Sequence, residues 1–276
     1  MSLVIGLVVG LVLGLTGAGG SIFAVPLLMA GLGWSITQAA TVSLLAVAIS
    51  AAVGTAMAWK HSYVRYRAAT LMAAVGILVA PIGIRAADGM PAANLALIFA
   101  LVLVVVAIRM FHGARTSKED ATVVRSAVAG EGRSSAGRIG SVDPETGRLV
   151  WTRAVALTVS LIGAATGFLS GMLGVGGGFV IVPALRATLP LSMHSAVATS
   201  LMAIALTSSV TFVSCLLQGR PAPLLAALPF VAGSVLGMVL GRRVAPRVSG
   251  PALQQGFAIA AGVVALVMAV KTWMSM

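Results

Sequence analysis

Charged side chains are scarce in this sequence. Only 9% of its 276 residues are Asp, Glu, Lys or Arg, whereas a soluble domain of this size carries about 25%. The stretches 1–59, 154–185 and 187–219 contain none at all. An uncharged run longer than about 18 residues is typical of a segment that crosses a bilayer, because roughly 20 helical residues span the hydrocarbon. The scarcity of charge therefore excludes an ordinary soluble fold.

Carboxylates and cysteines are rarer still. Five of the six carboxylates lie between residues 113 and 150, which leaves Asp88, and Cys215 is the single cysteine. A disulfide within the chain is excluded, and no apolar run carries the buried carboxylate that proton relays use. No cluster of His, Cys and carboxylates indicates a metal, and no nucleophile, base and acid can be assembled for hydrolysis. We expect no cofactor, no metal and no enzyme activity.

Basic residues give a formal net charge of +12. They sit at the ends of apolar runs and in one central stretch, and they form no stripe along a helix. Lys and Arg in such places are the usual cytoplasmic anchors of membrane proteins, so the expected partner is the lipid bilayer and not nucleic acid. The amino terminus lacks the basic region and cleavage site of a signal peptide, which predicts a retained first segment. We expect a multi-pass protein of a bacterial inner membrane, with a homo-oligomer left open.

The predicted fold is an all-α polytopic membrane protein of about eight transmembrane segments. It divides into a first transmembrane repeat (1–112), a hydrophilic cytoplasmic linker (113–150) and a second transmembrane repeat (151–276). Two runs, Leu3 to Ala30 and Ala154 to Leu185, are too long for one crossing and contain glycine clusters, which predicts broken or re-entrant helices. The remaining predicted spans are Ala39 to Ala58, Ala68 to Ile84, Ala92 to Ile108, Ser195 to Leu217, Ala222 to Gly241 and Ala252 to Val270.

The two halves repeat one another at an offset of 157 residues. Six glycines and a proline of the first half fall on the same residue types in the second: Gly6, Gly10, Gly14, Gly17, Gly19, Gly20 and Pro26 match Gly163, Gly167, Gly171, Gly174, Gly176, Gly177 and Pro183. Repeats with glycine-interrupted spans in corresponding places indicate a secondary transporter. If each broken segment returns to its starting side, 15 of the 18 basic residues share one side. This division favours inverted repeats with both termini outside.

The two glycine clusters are the predicted binding elements, and they are expected to meet near the midplane of the bilayer. Breaks of the backbone within a membrane are tolerated where they line a cavity, and successive glycine N–H groups can form a nest for an anion at the positive end of the following helix. The predicted substrate-binding residues of the clusters are Gly17, Gly19, Gly20, Ser21, Gly174, Gly176, Gly177 and Gly178. For the glycines spaced by four residues, Gly6, Gly10, Gly14, Gly233, Gly237 and Gly241, close helix packing is the favoured interpretation.

Small hydroxyls could complete such a site. Thr41 and Ser43 lie early in one predicted span, and Thr199 and Ser200 lie in the equivalent span. These four are predicted substrate-binding residues, with back-bonding to the preceding helical turn as an equal alternative. For Ser208 and Ser209 we expect back-bonding.

The repeated pattern resembles the TauE/SafE family of sulfite exporters. In the first half it reads Gly17-Ala18-Gly19-Gly20 through Pro26-Leu27-Leu28, followed by Thr41-Val42-Ser43-Leu44; in the second it reads Gly174-Val175-Gly176-Gly177-Gly178 through Pro183, followed by Ala198-Thr199-Ser200-Leu201. The resemblance implies transport of a sulfur-containing anion such as sulfite, thiosulfate or sulfoacetate. Two alternatives remain open at this point, an anion channel and a non-transporting scaffold or sensor that binds partners through its linker.

Overall fold

The computed structural model describes residues 1–17, 20–59, 65–91, 93–108, 150–189, 191, 193–220, 223–245, 255–256, 258–259 and 261–266. The described chain is helical throughout its regular elements. The helices are α1 (Ser2–Thr16), α2 (Gly20–Leu32), α3 (Ile36–Trp59), α4 (Tyr66–Asp88), α5 (Ala93–Ile108), α6 (Arg153–Leu173), α7 (Gly178–Thr188), α8 (Met193–Leu217) and α9 (Leu224–Val244).

Five of the described helices are long and apolar enough to cross a membrane: Ile36–Ala58, Tyr66–Asp88, Arg153–Leu173, Ser195–Leu217 and Leu225–Val244. Each covers a span, or the first part of a broken run, that the sequence predicts. The predicted span Ala92 to Ile108 corresponds to the shorter helix α5. The last span, Ala252 to Val270, lies partly outside the described residues, of which 261–266 are helical. The predicted linker lies outside them except for Val150.

Apolar side chains cover the outer surface of the helices. Leu78, Leu217 and Leu225 are 76%, 83% and 85% exposed, while large aromatic side chains such as Phe99, Phe179 and Phe230 are fully buried. A helix that is apolar on every side needs a protein interior or a lipid environment. The exposed leucines are therefore suited to contact with lipid tails.

Two helix pairs pack through glycine. Helix α1 lies on α9 and helix α6 lies on α4, and a Cβ added at Gly10 or Gly167 would lie 1.9 or 2.1 Å from a carbonyl oxygen of the partner helix. Contacts run in the same direction along both partners, so the helices of each pair are parallel: Gly6 on Phe230, Gly10 on Ser234 and Gly14 on Met238, and likewise Gly163 on Met72, Gly167 on Gly76 and Gly171 on Ala80. The packing role predicted for the spaced glycines is confirmed.

Helices α3 and α8 pair through the centre of the molecule. Ala58 contacts Ala198, Gly54 faces Leu201, and Leu44 shares an apolar cluster with Cys215. Residue numbers rise along one helix as they fall along the other, so α3 and α8 are antiparallel.

The two repeats are interlocked. At the offset of 157 residues, α1 corresponds to α6, α3 to α8 and α4 to α9, so the pair α1–α9 is equivalent to the pair α6–α4. Each repeat thus buries its first helix against the fourth helix of the other repeat. The observed pairing places both glycine breaks inside a shared core.

Candidate functional site

The second glycine break is a turn that only glycine forms readily. Helix α6 ends at Leu173, and Gly174, Gly176 and Gly177 have φ of 68°, 69° and 62°. L-residues with a side chain rarely adopt positive φ, whereas glycine does so without steric cost. The Gly174 N–H donates to the carbonyl of Ser170 at 2.9 Å, and helix α7 begins at Gly178. The predicted interruption of the long apolar run is confirmed at this place.

The first break closes a helical hairpin. Helix α1 ends at Thr16 with Gly17 at φ of 71°, and α2 starts at Gly20. Gly20, at the start of α2, packs on Val9 and Leu13, whereas Gly31, near the end of α2, packs on Ile5. Helix α2 therefore runs back along α1, as a re-entrant segment does. Gly19 and the side chain of Ser21 lie outside the described residues.

Each break is tied to the opposite repeat by a serine. The Ser43 hydroxyl on α3 donates to the Gly174 carbonyl at 2.5 Å. The equivalent Ser200 hydroxyl on α8 lies 2.8 Å from the Gly17 carbonyl and also 2.8 Å from the Val197 carbonyl of its own helix. All four residues lie in the interior. The last carbonyls of a helix have no partner within it, and leaving one buried and unpaired costs about 1–3 kcal/mol. In this conformation, these two predicted anion ligands thus connect each break to a helix of the opposite repeat.

The predicted threonine ligands are also engaged. Thr41 donates to the carbonyl of Thr37 at 2.9 Å, which is the back-bonding alternative. The Thr199 hydroxyl oxygen accepts the N–H of Arg65 at 3.0 Å. In this conformation Thr199 connects α8 to the residue that precedes α4.

The two breaks enter the core at different depths. Gly17 contacts Val197 near the start of α8, and Gly174 contacts Ala40 near the start of α3. Because α3 and α8 are antiparallel and Ala198 contacts Ala58, about 18 residues of α3 separate these two points. At about 1.5 Å per residue they lie about 27 Å apart along the helix axis, so the two breaks do not meet in this conformation. Gly176 lies deeper, between Val47 at the middle of α3 and Ile204 and Ser208 of α8. Helix α2 also touches α7, which joins the two re-entrant elements.

Two buried hydroxyls beside the second break have no hydrogen-bond partner. They belong to Ser170 and Ser208, both 0% exposed. The back-bonding expected for Ser209 is confirmed, since it donates to the Ala205 carbonyl at 2.7 Å, whereas the same expectation for Ser208 is wrong. Spacing within the sequence could not reveal this difference, because both serines occupy ordinary helical positions.

A small cleft with a cavity volume of about 40 Å³ lies beside the second break. Its inner wall includes Leu173 and Ala40, and Ala40 contacts Gly174. Its outer wall carries Arg220, which donates to the carboxylate of Asp88 and, at 3.2 Å, to the carbonyl of Ile84. The Arg220 side chain is 12% exposed and that of Asp88 is 57% exposed. A single cation held by a single carboxylate thus stands at the mouth of this cleft, a pairing that the sequence analysis did not predict.

The described residues hold no group of three or more His, Cys, Asp or Glu side chains that could ligate a metal ion. What the site offers instead is main-chain amides, hydroxyls and the end of a helix. Groups of this kind stabilise negative charge by hydrogen bonds and by the helix dipole.

Sequence comparison places the chain among known membrane proteins. The family described as Sulfite exporter TauE/SafE matches residues 2–268. A "Probable membrane transporter protein" of Xylella fastidiosa strain 9a5c is 31% identical over 95% of this chain and 91% of its own length, and the protein of the same name from strain Temecula1 is 29% identical over the same shares. No solved structure matches.

A third relative, a probable membrane transporter protein of Methanocaldococcus jannaschii, is 35% identical over 32% of this chain and 37% of its own length. The full-length relatives cover both glycine breaks and the helices around them. The chain is therefore a multi-pass membrane protein that belongs to the transporter family described as Sulfite exporter TauE/SafE.

Proposed function

We propose that this protein is a secondary transporter that exports a small anion, a sulfur oxyanion or organosulfonate of the sulfite, thiosulfate or sulfoacetate type, across a bacterial inner membrane. The observation that carries the proposal is the second break, where three glycines with positive φ lie in the core before the start of α7. The first N–H groups of a helix have no partner within it, and they favour negative charge. The family description supports the sulfur anion.

The directions of the helices support inverted repeats. Helices α3 and α8 are equivalent members of the two repeats, and they are antiparallel. A two-fold axis that relates antiparallel membrane helices lies in the membrane plane, which is the symmetry of many transporters. With both termini outside, the loops that carry most Lys and Arg face the cytoplasm. In this orientation the cleft beside Arg220 opens to the outside.

The proposed mechanism is alternating access around the breaks. The proposed ligands are Gly17, Gly19, Gly20, Ser21, Thr199 and Ser200 at the first break, and Gly174, Gly176, Gly177, Gly178, Thr41 and Ser43 at the second. The bonds Ser43–Gly174 and Ser200–Gly17 are the contacts that would change as one repeat rocks against the other. Export needs no proton relay, because an anion that leaves a negative interior gains about 2.3 kcal/mol per charge per 100 mV.

Transport of labelled anions into proteoliposomes tests the proposed function. We expect saturable uptake of labelled sulfite, thiosulfate or sulfoacetate, accelerated by an imposed potential of the sign that drives anions inward. Empty liposomes and labelled alanine are the controls. Ion currents far above the rate of a transporter would identify a channel instead. Absence of flux of all three anions with folded, monodisperse protein would contradict the proposal.

Arg220 is expected to attract anions at the outer mouth, with Asp88 as its competitor. The change Arg220→Gln should raise the KM for external anion about threefold to tenfold, because it removes the cation. Asp88→Asn should lower this KM by a similar factor, because it leaves Arg220 without its carboxylate. Initial rates of uptake from the outer face of oriented proteoliposomes measure both effects.

The matched control for the pair is Arg85→Gln. Arg85 is exposed, and it lies on the last turn of the same helix as Asp88. Its loss changes the net charge by the same amount as the loss of Arg220. Equal effects of Arg85→Gln and Arg220→Gln would mean that surface charge alone acts, and the role of the cleft would be rejected.

A further inference from the structure

The unpartnered hydroxyl of Ser208 departs from the pattern of its own helix. Four hydroxyls around it on α8 donate to the carbonyl four residues earlier: Thr207 to Ala203, Ser209 to Ala205, Thr211 to Thr207 and Ser214 to Val210. Ser208 makes no such bond. Back-bonding is the easiest way for a hydroxyl to be satisfied inside an apolar helix. A fully buried hydroxyl without such a bond lowers the stability of the fold, so Ser208 does not serve stability at this position.

The Ser208 hydroxyl is directed at the second break. A Cβ added at Gly176 would lie 2.6 Å from Ser208 Oγ, so the hydroxyl lies against the Gly176 backbone. Gly176 is followed at once by Gly177 and by the first residue of α7, Gly178. Ser208 and the amino end of α7 therefore face the same small region at the centre of the molecule.

The second unpartnered hydroxyl belongs to the same break. Ser170 lies one turn before Gly174 and accepts the Gly174 N–H with its main-chain carbonyl. The carbonyl to which the Ser170 hydroxyl could back-bond is that of Thr166, and Gly177 packs on this carbonyl, 2.4 Å from where its Cβ would be. Among the described residues, both buried hydroxyls without a partner thus lie beside one break.

The first repeat does not share this feature. At the offset of 157 residues, Ser208 corresponds to Ala51 and Ser170 to Leu13, both of which are fully buried. The duplicated breaks therefore have different side-chain chemistry, although their glycines and the serines that tie them are equivalent. A hydroxyl pair that only supported the fold of a break would be expected in both repeats.

The nearest neighbours of the break are uncharged. The side chains and backbone nearest to Gly174, Gly176 and Gly177 belong to Ala40, Val47, Thr166, Ile204 and Ser208. Burial of an ion in such a place is costly, and the cost rises steeply with its charge. A neutral set of donors suits a single negative charge better than two.

We propose that the anion binds asymmetrically, at the second break, where the hydroxyls of Ser208 and Ser170 donate to a singly charged oxyanion such as a sulfonate. This inference rests on the proposed transport function and refines it. The two hydroxyls and the amino end of α7 supply hydrogen bonds to the oxygen atoms. In the absence of the anion the hydroxyls are left without partners, so the resting protein is less stable than it could be.

The test uses methanesulfonate as the singly charged probe and thiosulfate as the doubly charged one. In proteoliposomes Ser208→Ala should raise the KM for methanesulfonate about tenfold, and Ser170→Ala should raise it severalfold, because hydrogen bonds to a charged partner are among the stronger ones. The matched control is Ser209→Ala, whose hydroxyl is exposed and back-bonded, and its KM should stay within twofold of the wild type. The wild type should have a lower KM for methanesulfonate than for thiosulfate.

Thermal unfolding in detergent separates binding from folding. Removal of an unsatisfied buried hydroxyl should leave the Tm of Ser208→Ala unchanged or higher, while methanesulfonate should raise the Tm of the wild type and not that of the double variant Ser170→Ala with Ser208→Ala. A lowered Tm with an unchanged KM would assign both serines to the fold and overturn the inference.

Thermal unfolding and transport together distinguish the proposed binding site from the proposed transport function. If the wild type is stabilised by methanesulfonate but moves no anion, the transport function fails and the binding site stands. If it moves anions with kinetics that neither serine affects, the site fails and the function stands. If methanesulfonate neither raises the Tm of the wild type nor is transported by it, the asymmetric site is rejected.

Discussion

Valine in place of Gly167 or Gly10 is expected to prevent the protein from folding. A Cβ at Gly167 would lie 2.1 Å from the Gly76 carbonyl oxygen and 2.4 Å from the Gly76 Cα, and at Gly10 it would lie 1.9 Å from the Ser234 oxygen. The obstacle in both places is backbone, which cannot rotate away as a side chain can. Overpacking by a few methyl groups already costs about 1–3 kcal/mol in ordinary cores, and here whole helices must separate.

The measurement is the amount of monodisperse protein recovered after extraction in mild detergent. We expect each valine variant to fall at least tenfold below the wild type. Gly262→Val is the control, because Gly262 is helical and a Cβ there would meet nothing within 4 Å. Recovery of Gly167→Val at the level of Gly262→Val, with the same Tm, would show that α4 and α6 need not touch.

Alanine in place of Gly176 is expected to reduce transport at least tenfold in protein that still folds. The new methyl group would lie 2.6 Å from Ser208 Oγ and 3.2 Å from a Val47 methyl, so it displaces the hydroxyl that is proposed to bind the anion. The φ of 69° adds backbone strain, which costs a residue with a Cβ roughly 1–2 kcal/mol.

The control for the strain is Gly33→Ala. Gly33 has a φ of 67°, lies in the exposed connection between α2 and α3, and has nothing within 4 Å of its Cβ position. Both variants carry the same backbone strain, but only one changes the core. Rates of labelled anion uptake per folded protein should stay within twofold of the wild type for Gly33→Ala. Wild-type rates for Gly176→Ala would contradict the placement of the substrate at this break.

Features of the fold that depend on local sequence could be predicted. Uncharged runs marked the membrane helices, and contiguous glycines marked the places where α1 and α6 end. Glycines at four-residue spacing marked the packing faces, because a helix places such positions on one side. Each of these signals lies within about 30 residues of chain.

Features that depend on distant partners could not be predicted. Ser43 and Ser200 were recognised as significant, but their bonds reach across 131 and 183 positions to the opposite break. The same holds for Arg220 and Asp88, which the fold brings together across 132 positions. Ser208 could not be predicted for a different reason. It stands out because it lacks the back-bond to the preceding helical turn that the neighbouring hydroxyls of α8 make.

The parallel pairing of α1 with α9 has a consequence for biosynthesis. Gly10 precedes its contact residue Ser234 by 224 positions, and a ribosome adds about 5–20 residues per second. The glycine face of α1 therefore remains in the bilayer without its partner helix for on the order of 10–45 s. Helix α1 enters the lipid before its partner α9 is synthesised, so the pair α1–α9 assembles only after the second repeat has been made.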